Sequence, residues 1–263
     1  MANRKLEARE LLIYYSIKYK GDWDKILESL RYKADVNEEE LEQYLANMKC
    51  KAVTYLDAEY PSALKQIYKP PFVLYYQGDL SLLKDYTKNL AVIGGREPDL
   101  YSIKATEDLI REACKEYNIV SGLAVGTSTN ALITTLNNEG KAIAVLGTGL
   151  DKYYPQSNKK LQDDIAQKGL VITEYPEGVE PDANNFIVRN RIIVGISKGV
   201  LAIACKEHSG TMAASNMACS FNRELMVIPY PIGSGYYNNQ LINEGASMVE
   251  NLDDIKNAMR NDY

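Results

Sequence analysis

Histidine is almost missing from this chain of 263 residues, where His208 is the only one. A Ser-His-Asp relay or a histidine-based metal centre would have to rest on that single side chain, so the composition suits general-base chemistry poorly. Cysteine is scarce too, and Cys50, Cys114, Cys205 and Cys219 stand far apart with no C-x-x-C pair. This spacing argues against a zinc ribbon or a disulfide framework, and no metal or cofactor is expected. Cys114 and Cys205 fall in apolar-periodic segments, where a thiol behaves as a small hydrophobe. No apolar run reaches the roughly 18 residues that cross a bilayer. The start, Met1 to Glu7, carries charge with no apolar stretch behind it, so no secretory leader is expected and the cytoplasm is the expected location. Positive charge is not in excess: 30 Lys and Arg face 35 Asp and Glu, for a net charge of −5. That excludes a surface coated in positive potential but leaves room for a local basic cleft, which is what phosphate contact needs. Phenylalanine and tryptophan are few, at 3 and 1, against 20 tyrosines. Tyrosine stacks on bases, yet the edge of a core is the expected place for most of these.

What remains is an ordinary globular composition, 46% hydrophobic and 25% charged, long enough for one large domain and a small appendage. Residues 1–50 read as three short helices: Leu6, Leu11, Leu12 and Tyr15 share a stripe, as do Trp23, Ile26, Leu27 and Leu30, and then Leu41, Tyr44, Leu45 and Met48. Such a bundle, a small SAM-like helical domain, is suited to contacts and holds nothing that looks chemical. Strand-like runs come next at 53–56 and 72–76, set apart by Tyr60-Pro61 and Pro70-Pro71. From Leu90 onward, apolar runs at 90–93, 119–120, 142–146, 170–173, 199–204, 225–228 and 247–249 alternate with amphipathic helix-length stretches. Strand–helix repetition with continuously apolar strands predicts an α/β domain over 51–263, built on a parallel sheet covered on both faces.

In open parallel sheets, ligands bind beyond the carboxyl ends of the strands, near the point where strand order reverses. The residues there are Gly94-Gly95-Arg96, Ser121-Gly122 with Gly126, Gly147-Thr148-Gly149, and His208-Ser209-Gly210-Thr211. Each is a glycine-bearing turn, with helix N-terminal amides able to meet phosphate. None is G-x-G-x-x-G with an acidic ribose ligand and none is a Walker loop, which weakens dinucleotide and nucleoside-triphosphate readings. The most distinctive stretch is Asn184 to Val200, where Asn185, Phe186, Arg189, Asn190 and Arg191 lead into an apolar helix before a core strand. An aromatic, amides and guanidinium groups together suit a phosphate backbone with one stacked base. Helix-borne arginines also pair internally, a reading that weighs more on Arg191 than on Arg189. His208 is expected at the surface or as a cap, and Glu174, at a strand end, in solvent.

Gly94-Gly95-Arg96, Ser121 to Ala124, Ala144 to Asp151, Tyr154-Pro155 with Asn158, Phe186-x-x-Arg189-Asn190-Arg191-Ile192-Ile193 and Ser209-Gly210-Thr211 together resemble the DprA/Smf DNA-processing family, in order and spacing over about residues 52–255. The resemblance implies an extended Rossmann-like domain that binds single-stranded DNA, protects it, and loads the RecA recombinase during natural transformation. It also implies a homodimer formed through the C-terminal part of the domain, a small N-terminal helical domain, and no reaction of the protein's own. The DNA-binding set implied is Gly94, Gly95, Arg96, Lys159, Asn185, Phe186, Arg189, Asn190, Arg191, Ser209, Gly210 and Thr211. The chain departs from the family pattern at Gly95 (usually serine), at Val125 and Gln156 (usually cationic), and at Thr127-Ser128 and Leu132, where an Ile-Asp and a histidine are usual. No winged-helix extension is expected after Asp262-Tyr263.

The alternative is a nucleotide-processing phosphoribohydrolase-like enzyme on a related fold. Those enzymes carry Pro-Gly-Gly-x-Gly-Thr-x-x-Glu. Here the corresponding stretch runs from Glu207 to Ser215, without the glutamate.

Overall fold

The computed structural model describes residues 6–260. The readings made from Met1 to Lys5 and from Asp262-Tyr263 lie outside them. Three helices open the chain: α1 (Ala8–Lys18), α2 (Trp23–Arg31) and α3 (Glu38–Asn47). Asp22 and Asn37 cap α2 and α3 by accepting from the backbone of Lys25 and Glu40. Tyr14, Tyr15, Ile26 and Leu41 form the core of this bundle. Shared packing joins the bundle to the α/β part of the chain. Leu12 and Ile13 of α1 are buried with Tyr75, Leu132 and Ile165. The Tyr75 hydroxyl donates to Ser16 Oγ at 3.0 Å, and Trp23 Nε1 donates to the Pro70 carbonyl at 2.8 Å.

The strands are β1 (Lys51–Thr54), β2 (Val73–Gly78), β3 (Asn89–Ile93), β4 (Asn118–Ser121), β5 (Ala142–Val145), β6 (Leu170–Thr173), β7 (Gly199–Ala202), β8 (Glu224–Val227) and β9 (Ser247–Met248). Between them run α4 (Leu100–Ala113), α5 (Thr127–Asn137), α6 (Lys159–Lys168), α7 (Ala183–Gly195), α8 (Gly210–Ser220) and α9 (Asn238–Asn243), and α10 (Leu252–Arg260) comes after β9. All nine strands join one sheet in the order β1-β2-β6-β5-β4-β3-β7-β8-β9. The seven from β3 onward are parallel. The first two pair antiparallel, β1 on β2 and β2 on β6, so the parallel sheet carries an antiparallel edge.

The pleat sends alternate residues to opposite faces, and both faces are apolar. Ala91 and Ile93 pack with Ile192 and Ile193 of α7 and Ala214 of α8. Leu90 and Val92 pack with Leu109 and Ile110 of α4 and Ile255 of α10. Burying a side chain of this size contributes about 1.5–3 kcal/mol, which is why the strands read as continuous apolar runs. β3 to β6 extend the sheet in one direction, while β7 to β9 extend it on the other side of β3. The connections leaving β3 and β7 therefore diverge to opposite faces and leave a crevice at their carboxyl ends.

Candidate functional site

A crevice of about 430 Å³ opens at that divergence. Ile93 to Arg96 extend from β3, Gly122, Ala124 and Ser128 from β4, and Ser209 to Thr211 from β7, while Ala183, Phe186, Ile187, Arg189 and Asn190 come from α7. Ser209 caps α8, its Oγ accepting from the Met212 amide at 3.1 Å, so the next amides of that helix start face the same space. Asn190 Nδ2 reaches the Gly210 carbonyl at 3.5 Å and ties α7 to α8. Asn158 Nδ2 donates to the Leu123 carbonyl at 3.0 Å and bridges the loops after β4 and β5.

Arg189 is the central group. Its side chain turns inward, only 4% of the residue is exposed, and Nη1 donates to the carbonyls of Gly122, at 2.8 Å, and Val145. Nε is buried without a hydrogen-bond partner among the described residues. Burial pulls the guanidinium down from its ordinary value to about 10, and repulsion from Arg96 acts in the same sense. It remains charged at neutral pH, with another guanidinium beside it. Among the described residues, no Asp or Glu lines the crevice. Two cations and a helix start share a concave space that has no counter-charge in its lining.

Nine residues of the expected set therefore come together: Gly94, Gly95, Arg96, Phe186, Arg189, Asn190, Ser209, Gly210 and Thr211. Lys159, Asn185 and Arg191 are outside this lining. Lys159, at the start of α6, sets Nζ over the Tyr153 ring, 4.8 Å from its centroid. Arg191 points away from the crevice for a geometric reason. Two residues along a helix are about 200° apart, so Arg189 and Arg191 cannot face one site. Arg191 instead makes a buried two-pronged pair with Glu174, at 2.6 and 2.5 Å, and donates from Nε to the Lys69 carbonyl at 3.0 Å. Glu174 is thus buried rather than solvated. His208 is exposed beside Glu207, as expected.

The glycines divide by role. A Cβ on Gly122 would sit 2.6 Å from an Arg189 nitrogen, so glycine there admits the guanidinium. A Cβ on Gly210 would meet open space and one on Gly95 only ordinary contacts at 3.9 Å, so a ligand could approach the backbone at both. Ile187 and Ala183 were missed by reading residue types, although the spacing 183, 186, 187, 190 is one helical stripe once α7 starts at Ala183. Tyr154, quoted only as part of a Tyr-Pro pair, stacks on Phe186 with centroids 5.0 Å apart and planes at 22°. No sequence signal pairs those two rings.

Residues 51–260 match the model of a family described as DNA recombination-mediator protein A. The DNA processing protein DprA of Streptococcus pneumoniae is 41% identical over 202 residues, which make up 76% of this chain and 71% of that protein. Protein Smf of Synechocystis is 36% identical over 198 residues, 73% of this chain but 50% of that longer protein. Among solved structures, DprA from Streptococcus pneumoniae superposes with a TM-score of 0.81 at 30% identity, covering 98% of this chain and 100% of that one. DprA from Helicobacter pylori, whose structure addresses its single-stranded DNA binding mode, gives 0.72 at 30% identity over 81% of this chain and 97% of that one. The chain belongs to the DNA recombination-mediator protein A family, the DprA/Smf proteins.

Proposed function

We propose that this protein binds single-stranded DNA through the crevice, protects it, and delivers it to a RecA-type recombinase, with no chemical step of its own. The observation that carries the reading is the unneutralised pair Arg96 and Arg189, set in a crevice whose described lining holds no carboxylate and which is closed by the start of α8. A buried guanidinium without a counter-ion is costly alone and is relieved by an anion. A phosphodiester fits the amides of Gly95 and Gly210 and the guanidinium of Arg96. Phe186 offers its ring to a base. The relative from Helicobacter pylori, whose structure addresses its own single-stranded DNA binding mode, supports single-stranded DNA as the ligand. Lys159 belongs to a flanking basic rim in this proposal, and Asn185 and Arg191 leave the contact set. Residues 1–50 act as an interaction module, residues 51–263 carry the DNA, two copies pair through the C-terminal part, and the work is done in the cytoplasm.

Arg96 is exposed, so its removal leaves the fold intact. Arg96→Ala is expected to lower affinity for an oligothymidylate at least tenfold, charge-assisted contacts being worth about 1.5–3 kcal/mol. The salt slope of log K should lose about 0.7 for that one phosphate. Wild-type affinity and slope in the variant would remove Arg96 from the site. Release of free base from nucleoside monophosphates by the wild-type protein would instead favour the phosphoribohydrolase reading.

A further inference from the structure

Phe186 presents only one ring face to the crevice. Tyr154, from the loop after β5, covers the opposite side at 5.0 Å and 22°. The Phe186 ring edge lies against Gly147, where an added Cβ would be 2.7 Å from Cδ1. A base can therefore stack on Phe186 from the crevice side alone, beside the Arg189 guanidinium, which lies 6.0 Å from the ring centroid. Tyr154 is itself 48% exposed, so the far side of this two-ring stack faces solvent. The loop that carries it is braced: Gln162 Nε2 donates to the Leu150 and Lys152 carbonyls at 3.2 and 3.3 Å, and the Tyr153 hydroxyl donates to Asp163 at 3.0 Å. The exposed ring is thus held in place behind Phe186, outside the crevice lining.

We infer that Tyr154 is a second nucleobase subsite, so that two bases of one strand bracket the Phe186–Tyr154 pair, one on each outer face; this rests on the single-stranded DNA reading above. Bases within a duplex stack at about 3.4 Å. Two protein rings between two bases of one strand hold those bases several stacking distances apart, which an opened, extended strand supplies and a duplex does not. The subsite takes any base, since every base has a flat π-face. It therefore confers preference for the single-stranded form and not for sequence.

The test measures binding of a fluorescein-labelled oligothymidylate, its abasic counterpart and a duplex to the full chain. Tyr154→Leu keeps an apolar cover over Phe186 but offers no flat ring. It is expected to bind the base-bearing strand about tenfold more weakly, to bind the abasic strand as the wild type does, and to narrow the preference for single over double strands. Tyr154→Phe retains wild-type binding. In Tyr154→Trp, made with Trp23 replaced by Phe, the new indole is quenched by the base-bearing strand and not by the abasic one. Equal loss on both strands would make Tyr154 a structural prop and overturn the inference, as would unchanged binding by Tyr154→Leu. A wild-type protein that bound no oligonucleotide would fail the underlying reading instead, so the two failures are distinguishable.

Discussion

The two arginines of α7 illustrate how burial alone does not define a role. Arg191 and Arg189 are 5% and 4% exposed. One is matched by Glu174 at hydrogen-bond distance on both prongs, whereas the other hydrogen-bonds only to carbonyls and lies over the Phe186 ring. Breaking the matched pair strands a charge in the interior. Arg191→Ala or Glu174→Ala should therefore cost about 3–5 kcal/mol, read as a lower denaturation midpoint. A loss below about 1 kcal/mol would mean that the site repacks. Arg189 lends itself to a pH experiment. Its guanidinium sits at about 10, below the ordinary value, so the buried charge costs stability at every pH below that value. The cost is relieved as pH rises through 10 towards the unfolded-state value. Oligonucleotide affinity is accordingly flat between pH 6 and about 9, since no histidine or carboxylate appears in the described lining of the crevice, and falls as pH rises through 10. A titration near pH 6–7 would contradict this account.

The helices and turns hold these groups at fixed spacings. α7 begins at the Asp182 cap, which accepts from the Asn184 amide, and from there its stripe of Ala183, Phe186, Ile187 and Asn190 faces the crevice. The turn after β4 receives Arg189 only because Gly122 has no side chain, and Gly126, at φ +84°, lies where a Cβ would collide with the Arg96 carbonyl. Gly122→Ala is therefore expected to push the guanidinium off the Gly122 and Val145 carbonyls. The expected outcome is a loss of about 1–3 kcal/mol of stability together with weaker oligonucleotide binding. Normal stability and binding in that variant would show that the turn gives way without disturbing Arg189.

At the scale of the molecule, the net charge of −5 and the local pair of cations work together. A chain with excess negative charge gives polyanions little non-specific attraction, so binding should be steeply salt-dependent and centred on the crevice and its Lys159 rim. Occupancy should stabilise the fold, because the ligand supplies the counter-charge that Arg189 lacks. At a hundred times the dissociation constant the gain is about 2.7 kcal/mol. For a chain this long that is a rise of roughly 5–10 °C in Tm. A scan with and without saturating oligothymidylate measures it, and an unchanged Tm would mean that the oligonucleotide does not bind the folded state selectively.

Strand positions, the helices between them and the glycine-bearing turns were legible in the residues because they depend on local periodicity: apolar runs at 90–93, 142–146 and 199–204 became β3, β5 and β7. The motifs from Gly94 to Thr211 were legible for the same reason, each being short and contiguous. The antiparallel seating of β1 and β2, the pairing of Arg191 with Glu174 and the stacking of Tyr154 on Phe186 were decided by the folded chain. Those contacts join residues distant in sequence. Which side of a helix a given arginine faces depends on where that helix starts and on what packs against it, a quantity set by the whole sheet and carried by no local pattern.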